Sequence, residues 1–173
     1  HVAVIPDGNG RWAKQRGFAD RIKGHEAGIE AIRDIIESAA RLGVKVLSLY
    51  AFSVDNWKRS RHETSTLMRY FRRFLISERK NLAENDFRLV HSGRREDLPR
   101  YVLEVLDKTI EATAENSGLT LNLAVSYSGR EEIVAAARRL AAEAAAGRIR
   151  PEDIEQADFE QGLYHSELGN PDL

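Results

Sequence analysis

The sequence predicts an α/β domain: a mostly parallel central sheet surrounded by helices. Three observations carry that prediction. Short apolar runs alternate with longer stretches of helical period along the whole chain, the signature of repeated strand–helix units. One run, residues 46–52 (Val-Leu-Ser-Leu-Tyr-Ala-Phe), is nearly continuous, as suits a parallel strand covered on both faces. The 173 residues, 42% hydrophobic and 31% charged, fit one domain with a substantial core.

Taken in order, Val2-Ala3-Val4-Ile5 is a short buried strand that Pro6 and a glycine-rich turn bring to an end. Over about residues 24–42, Ile29, Ile32, Ile36 and Ala39 recur at helical spacing, and Gly43 is placed to terminate that helix. The strand at 46–52 follows, then a long helix over about 61–84. Ser60-Arg61-His62-Glu63 reads as its capping box, with the serine oxygen accepting a backbone N–H and the glutamate reaching back. A third strand is predicted at 87–90, a third helix at 98–116 and a fourth strand at 119–125. Ser128-Gly129-Arg130-Glu131 reads as a second capping box, opening an alanine-rich helix that runs to Gly147. Pro151-Glu152-Asp153 opens one more short helix, with proline in its first turn and acids near its positive end.

Composition excludes several classes. The formal net charge is −1, so no global positive field argues for nucleic acid. There are no cysteines, which removes disulfides, thiolate metal sites and cysteine nucleophiles and suits a reducing compartment. No apolar run approaches the length of a membrane span, and no signal peptide is visible. A cytoplasmic location is the expectation.

Ligands of open α/β sheets bind beyond the carboxyl ends of the strands, and each candidate segment falls at such an end. Asp7-Gly8-Asn9-Gly10-Arg11-Trp12 follows the first strand. It reads either as an ordinary turn, since Asp-Gly and Asn-Gly are turn dipeptides, or as a phosphate site. In the second reading the glycines let backbone N–H groups approach an anion, Arg11 offers a guanidinium fork and Asp7 holds a magnesium ion bridging the phosphates. No G-K-[ST] follows, so it is not a Walker loop. Arg21 and His25 lie near the start of the next helix and are either solvated and structural or further donors to a polyanion. Ser53-Val54-Asp55-Asn56-Trp57-Lys58-Arg59 ends the second strand. It is either a polar loop feeding the Ser60 cap, with Trp57 packed in the core, or a substrate border in which Asn56 orients groups by hydrogen bonding. The helix carrying Leu67, Met68, Phe71, Phe74, Leu75 and Leu82 is either core or the wall of a hydrocarbon pocket.

Four segments in consistent order resemble the undecaprenyl diphosphate synthase family, the cis-prenyltransferases. They are residues 1–13, Gly24-His25-x-x-Gly28, Leu49 to Trp57 with Arg59, and Leu121-Asn122-x-Ala124 followed by Tyr127-Ser128-Gly129-Arg130. The resemblance implies a magnesium-dependent transferase that condenses an allylic diphosphate with isopentenyl diphosphate and forms a Z-polyprenyl diphosphate. It implies a parallel sheet ringed by helices with an apolar tunnel, a homodimer, and peripheral membrane contact through the lipid product. Asp7 would bind Mg2+ and help the allylic diphosphate leave. Gly8, Asn9, Gly10 and Arg11, with Arg21 and His25, would hold that diphosphate, flanked by Trp12. Ser53, Val54, Asp55, Trp57 and Arg59 would border the substrate, and Asn56 would assist proton removal.

Pro6, Asp55, Ser60 and Ser128 depart from the family's usual Met, Glu, Pro and Gly. The chain reads as a single domain, residues 1–173, lacking its C-terminal segment, because the family continues past a Pro-Asp-Leu like Pro171-Asp172-Leu173 into an isopentenyl diphosphate site. A non-catalytic family subunit that binds a partner is the alternative. Against it, Asp7, Asn9, Arg11 and Asn56 all stand intact.

Overall fold

The computed structural model describes residues 1–173. Its strands are β1 (Val2–Val4), β2 (Val46–Ser53), β3 (Arg88–Ser92) and β4 (Thr120–Tyr127). They form one sheet in the order β1-β2-β4-β3, with every neighbouring pair parallel. The helices are α1 (Asn9–Gln15), α2 (Ile22–Arg41), α3 (Arg61–Glu84), α4 (Arg100–Ala112), α5 (Gly129–Ala145) and α6 (Gln156–Glu160). The predicted parallel sheet with surrounding helices is the observed one.

The two faces of the sheet are built differently. One carries the register row Val2–Leu47–Leu121–Leu89 and packs against α2, α3 and α4 through Ile36, Leu75 and Leu106, in one cluster of buried apolar side chains. Each such leucine contributes about 1.5–3 kcal/mol by leaving water. The other face buries polar groups beside Val90 and Ala124. Ser92 Oγ donates to Asn122 Oδ1 (2.9 Å), Asn122 Nδ2 donates to Ser48 Oγ (3.1 Å), and His1 Nε2 lies 2.8 Å from Ser48 Oγ. Partnered in this way, these groups tolerate burial. The segment beyond α6 covers them, with His1 Nδ1 against Gly169 O and His165 Nε2 against His91 O.

Several local expectations change. The first strand ends at Val4 and is half-buried, because β1 lies at the sheet edge; Ile5 points outward, 73% exposed. Strand β3 runs on to Ser92, α2 begins at Ile22, and α4 is shorter than predicted at both ends, starting after the Pro99 cap and stopping at Ala112. Half of the Ser60 box forms. Ser60 Oγ accepts from Glu63 N–H (3.2 Å), but the Glu63 carboxylate accepts from Arg59 instead of reaching back. At Ser128 no side-chain cap forms: the serine carbonyl takes the Glu132 N–H, and Glu131 pairs with Arg94. The proline at 151 opens only a 3-10 turn, Pro151–Asp153, and the helix comes after it as α6. Nothing in the sequence pattern signalled Glu78, a buried carboxylate on α3 that accepts from Arg33 Nε of α2 at 2.8 Å.

Candidate functional site

At the carboxyl ends of β1, β2 and β4 four segments enclose a polar cavity of about 430 Å³. The β1–α1 turn supplies Asp7, Gly8, Asn9 and Gly10, and the start of α2 supplies Arg21 and His25. The loop after β2 supplies Ser53, Asn56 and Arg59, and the β4–α5 turn supplies Tyr127, Ser128 and Gly129. Beneath it, between α2, α3 and the sheet, lies an apolar chamber of about 110 Å³ walled by Ile29, Ile32, Leu49, Met68, Phe71 and Phe74. Polar cavity and chamber share Pro6, Asn9, His25, Ala51, Phe52 and Leu67. A charged head and a hydrocarbon tail could therefore be held end to end.

Close backbone approach fixes the glycine turn. Gly8 has φ +91°, a left-handed conformation that glycine adopts without steric cost. The turn then rests directly on α2. A Cβ on Gly24 would stand 1.9 Å from the Asn9 carbonyl oxygen, and one on Gly28 would stand 2.9 Å from Asn9 Nδ2. The Gly-His-x-x-Gly spacing is thus a seat for Asn9: two small residues one helical turn apart face the same partner. Gly10 serves Arg21 similarly, since the guanidinium lies 2.6 Å from where a Gly10 Cβ would be.

His25 holds a buried side-chain nitrogen without a partner. This is Nε2, and Glu63 Oε1, at 3.7 Å, is out of its hydrogen-bonding range. Burial lowers its pKa below the ordinary histidine value, the Glu63 charge partly opposes this, and Arg59 and Arg21 reinforce it. Arg59 Nη1 donates to Glu63 Oε1 at 3.0 Å, so one carboxylate anchors the guanidinium beside the imidazole. Arg21, His25 and Arg59 all line the cavity, and such a cluster of donors fits an anion with several oxygens.

The loop after β2 divides its residues. Asn56 Oδ1 accepts the Ser53 N–H at 3.1 Å, which folds the 3-10 turn Val54–Lys58. Ser53, Asn56 and Arg59 line the cavity; Val54, Asp55 and Trp57 do not. Asp55 faces solvent and pairs with Lys58 at 2.7 Å, which holds its carboxyl below the usual range. Trp57 turns inward, its ring edge-on to Phe52 at 4.8 Å and its Nε1 donating to Ser126 Oγ at 2.8 Å. Arg11 and Trp12 belong to the glycine turn but line a separate outer groove with Gln15 and Ala27. There Trp12 stacks on Phe18 and lies under Arg16.

Asp7 is the carboxylate at the cavity mouth. It accepts the Gly8 N–H and lies 3.3 Å from Arg11 Nη2, with its side chain 81% exposed. No three His, Asp or Glu side chains gather anywhere as a ready-made metal cage. A single open carboxylate beside a polyanion cavity nonetheless fits magnesium, which binds through one or two carboxylates plus substrate phosphates. Sequence reasoning missed Glu63, the counter-ion of Arg59, although an Arg and a Glu four apart is a readable signal. It also left Tyr127, Ser128 and Gly129 outside the site, although they follow directly on the fourth strand.

Comparison with known proteins gives consistent matches. Residues 5–173 match the family model described as "Putative undecaprenyl diphosphate synthase". An isoprenyl transferase of Chlorobaculum tepidum is 42% identical over 173 residues, which are 100% of this chain and 65% of that protein. A trans,polycis-polyprenyl diphosphate synthase ((2Z,6E)-farnesyl diphosphate specific) of Thermobifida fusca is 44% identical over the same span, 61% of its own length. The chain therefore spans somewhat less than two thirds of these two curated relatives. Among solved structures, lavandulyl diphosphate synthase from Lavandula x intermedia, in complex with dimethylallyl diphosphate, superposes with a TM-score of 0.91. It is 40% identical, and the match covers 94% of this chain and 70% of that one.

Proposed function

We propose that this chain, which belongs to the undecaprenyl diphosphate synthase family, transfers a prenyl group from an allylic diphosphate to isopentenyl diphosphate and so forms a Z-polyprenyl diphosphate. One observation carries the reading: Arg21, His25, Arg59 and the Gly8–Gly10 turn ring a single cavity that opens onto an apolar chamber. The diphosphate of the allylic substrate completes the hydrogen bonding of His25, and its hydrocarbon occupies the chamber.

The chain's own groups then have defined tasks. Ionisation of an allylic diphosphate builds charge on the leaving group. Donors already aimed at that position (the backbone amides of the turn, His25, Arg21 and Arg59) stabilise the developing charge more than the ground state. Glu63 holds Arg59 at 3.0 Å, so little reorganisation remains at the moment of reaction. The chamber walls exclude water that would trap an allylic cation. Magnesium, held by Asp7 together with the substrate phosphates, would neutralise phosphate charge when bound.

Asn56 is held by its carbonyl. Its Oδ1 accepts the Ser53 N–H, so the amide nitrogen is the end free to act as a donor toward substrate oxygen. The carbonyl keeps a second lone pair that can accept while Ser53 stays bound, so the proton-removing role that the resemblance implies uses that lone pair. Arg11 and Trp12, in the outer groove, would meet the diphosphate only from its far side. A homodimer, a cytoplasmic location and peripheral contact with membrane through the lipid product belong to the same proposal. No helix is long and apolar enough to cross a membrane.

The test is turnover by the natural full-length protein supplied with magnesium, an allylic diphosphate and radiolabelled isopentenyl diphosphate. Butanol-extractable labelled product is the expected result. A folded protein that yields none with any allylic starter would refute the reading.

A further inference from the structure

Trp57 lies in the loop that delivers Asn56 and Arg59 to the cavity, yet its own ring faces away from that cavity. Its indole N–H donates to Ser126 Oγ at 2.8 Å, and Ser126 Oγ lies 2.7 Å from Asp97 Oδ2. Asp97 Oδ1 lies 3.3 Å from Arg94 Nη2, and the Arg94 backbone N–H donates to the Ser126 carbonyl at 2.9 Å. The direction of this chain is fixed by chemistry. An indole can only donate and a carboxylate can only accept, so the serine hydroxyl must take the first bond and give the second.

Three features mark the arrangement as more than packing. Ser126 is fully buried, 0% exposed, so a lost partner cannot be replaced by water. It has φ +55°, a left-handed conformation that a serine holds only where its surroundings impose it. It also sits near the end of β4 where the β2–β4 pairing slips out of register between Tyr50 and Ser53, an irregularity of the kind that re-aims side chains beside active sites. The relay joins the loops that follow β2 and β3 to the last residues of β4, all at the end of the sheet that carries the cavity.

We propose that Ser126 and Asp97 are positioning residues for the transferase reaction. Through Trp57 they fix residues 53–59, and so set where Asn56 and Arg59 meet the diphosphate. The inference rests on the function proposed above and adds two residues that touch no substrate.

The experiment compares Ser126→Gly, Asp97→Asn and their double variant in the natural full-length protein, reading steady-state kinetics and the Trp57 indole N–H resonance by NMR, assigned with Trp57→Phe. Glycine removes the hydroxyl while relaxing the backbone, so this variant folds without the strain of φ +55°. The expected results are a displaced or exchanging indole signal and a kcat/KM loss of about tenfold, the size of one lost buried hydrogen bond. Asp97→Asn keeps an oxygen that can accept from Ser126 and so loses less. In the Ser126→Gly background it loses nothing further, because the two act as one unit. An active wild type whose Ser126→Gly variant keeps kcat and KM within about twofold overturns the positioning role alone. A wild type that turns over no allylic diphosphate overturns the functional reading, and this inference with it.

Discussion

Replacing Gly24 by alanine tests whether the glycine turn is held on α2 by contact. In an open helix this change stabilises by about 1 kcal/mol, because alanine is the better helix former. Here the added Cβ would stand 1.9 Å from the Asn9 carbonyl oxygen and 2.7 Å from its carbon. Both are backbone atoms and cannot rotate away. Overpacking of this kind costs about 1–3 kcal/mol, and a backbone neighbour places the cost at the upper end. The net is a loss of about 2 kcal/mol, which lowers Tm by about 4–8 °C at this chain length. Relieving the contact moves Asn9 by about 1 Å, a misplacement that can cost about a hundredfold in rate. Gly28→Ala is the control. Its Cβ meets Asn9 Nδ2 at 2.9 Å, the end of a side chain that can turn, so its stability should stay within about 1 kcal/mol of wild type. Thermal unfolding and kcat/KM on the same preparations decide the matter. A Gly24→Ala protein as stable as wild type or more so, with unchanged turnover, refutes the seating argument.

Two further predictions concern histidines. His25→Leu removes a buried nitrogen that lacks a partner, so the ligand-free protein should keep or gain stability, while affinity for an allylic diphosphate falls about tenfold or more; calorimetry with and without ligand checks both signs. His91 is buried, and desolvation lowers its pKa to about 4 from the ordinary 6.5. The unfolded chain therefore takes up this proton first as pH falls, and stability present above pH 6.5 is lost progressively between 6.5 and about 4. At 1.36 kcal/mol per unit that loss is about 3 kcal/mol. Urea unfolding of wild type beside His91→Gln should show the difference shrinking in this window, and parallel pH profiles for the two proteins would count against it.

How much was legible follows from what kind of signal each feature leaves. The parallel sheet and the long helices were readable because burial imprints a period on the residues: Leu47 and Leu49 alternate onto the core face, and Met68, Leu75 and Leu82 recur along α3. The cavity segments were readable because they lie at strand ends, and Asp7 to Gly10, Arg21, His25, Ser53, Asn56 and Arg59 do converge. The relative placement of side chains was not readable. Trp57 points inward because Ser126, 69 residues away, offers an acceptor, and no local pattern encodes a partner at that distance. Arg11 follows the glycines in sequence, but the first turn of α1 carries it to the outer groove. Both capping boxes matched in sequence, yet Glu63 and Glu131 found arginines, which a carboxylate prefers to a backbone amide. The hydrogen-bonded chain Ser48–Asn122–Ser92 hid inside strands that otherwise read as apolar.

The central claim is that a diphosphate supplies the missing partner of His25 while its hydrocarbon enters the chamber between α2 and α3. A crystal structure of the natural protein soaked with dimethylallyl diphosphate tests it most directly. The account predicts a phosphate oxygen within hydrogen-bonding reach of His25 Nε2, beside Arg21 and Arg59, with the allyl group against Ile29 and Phe71. Diphosphate bound elsewhere, with His25 Nε2 still unpartnered, would contradict it.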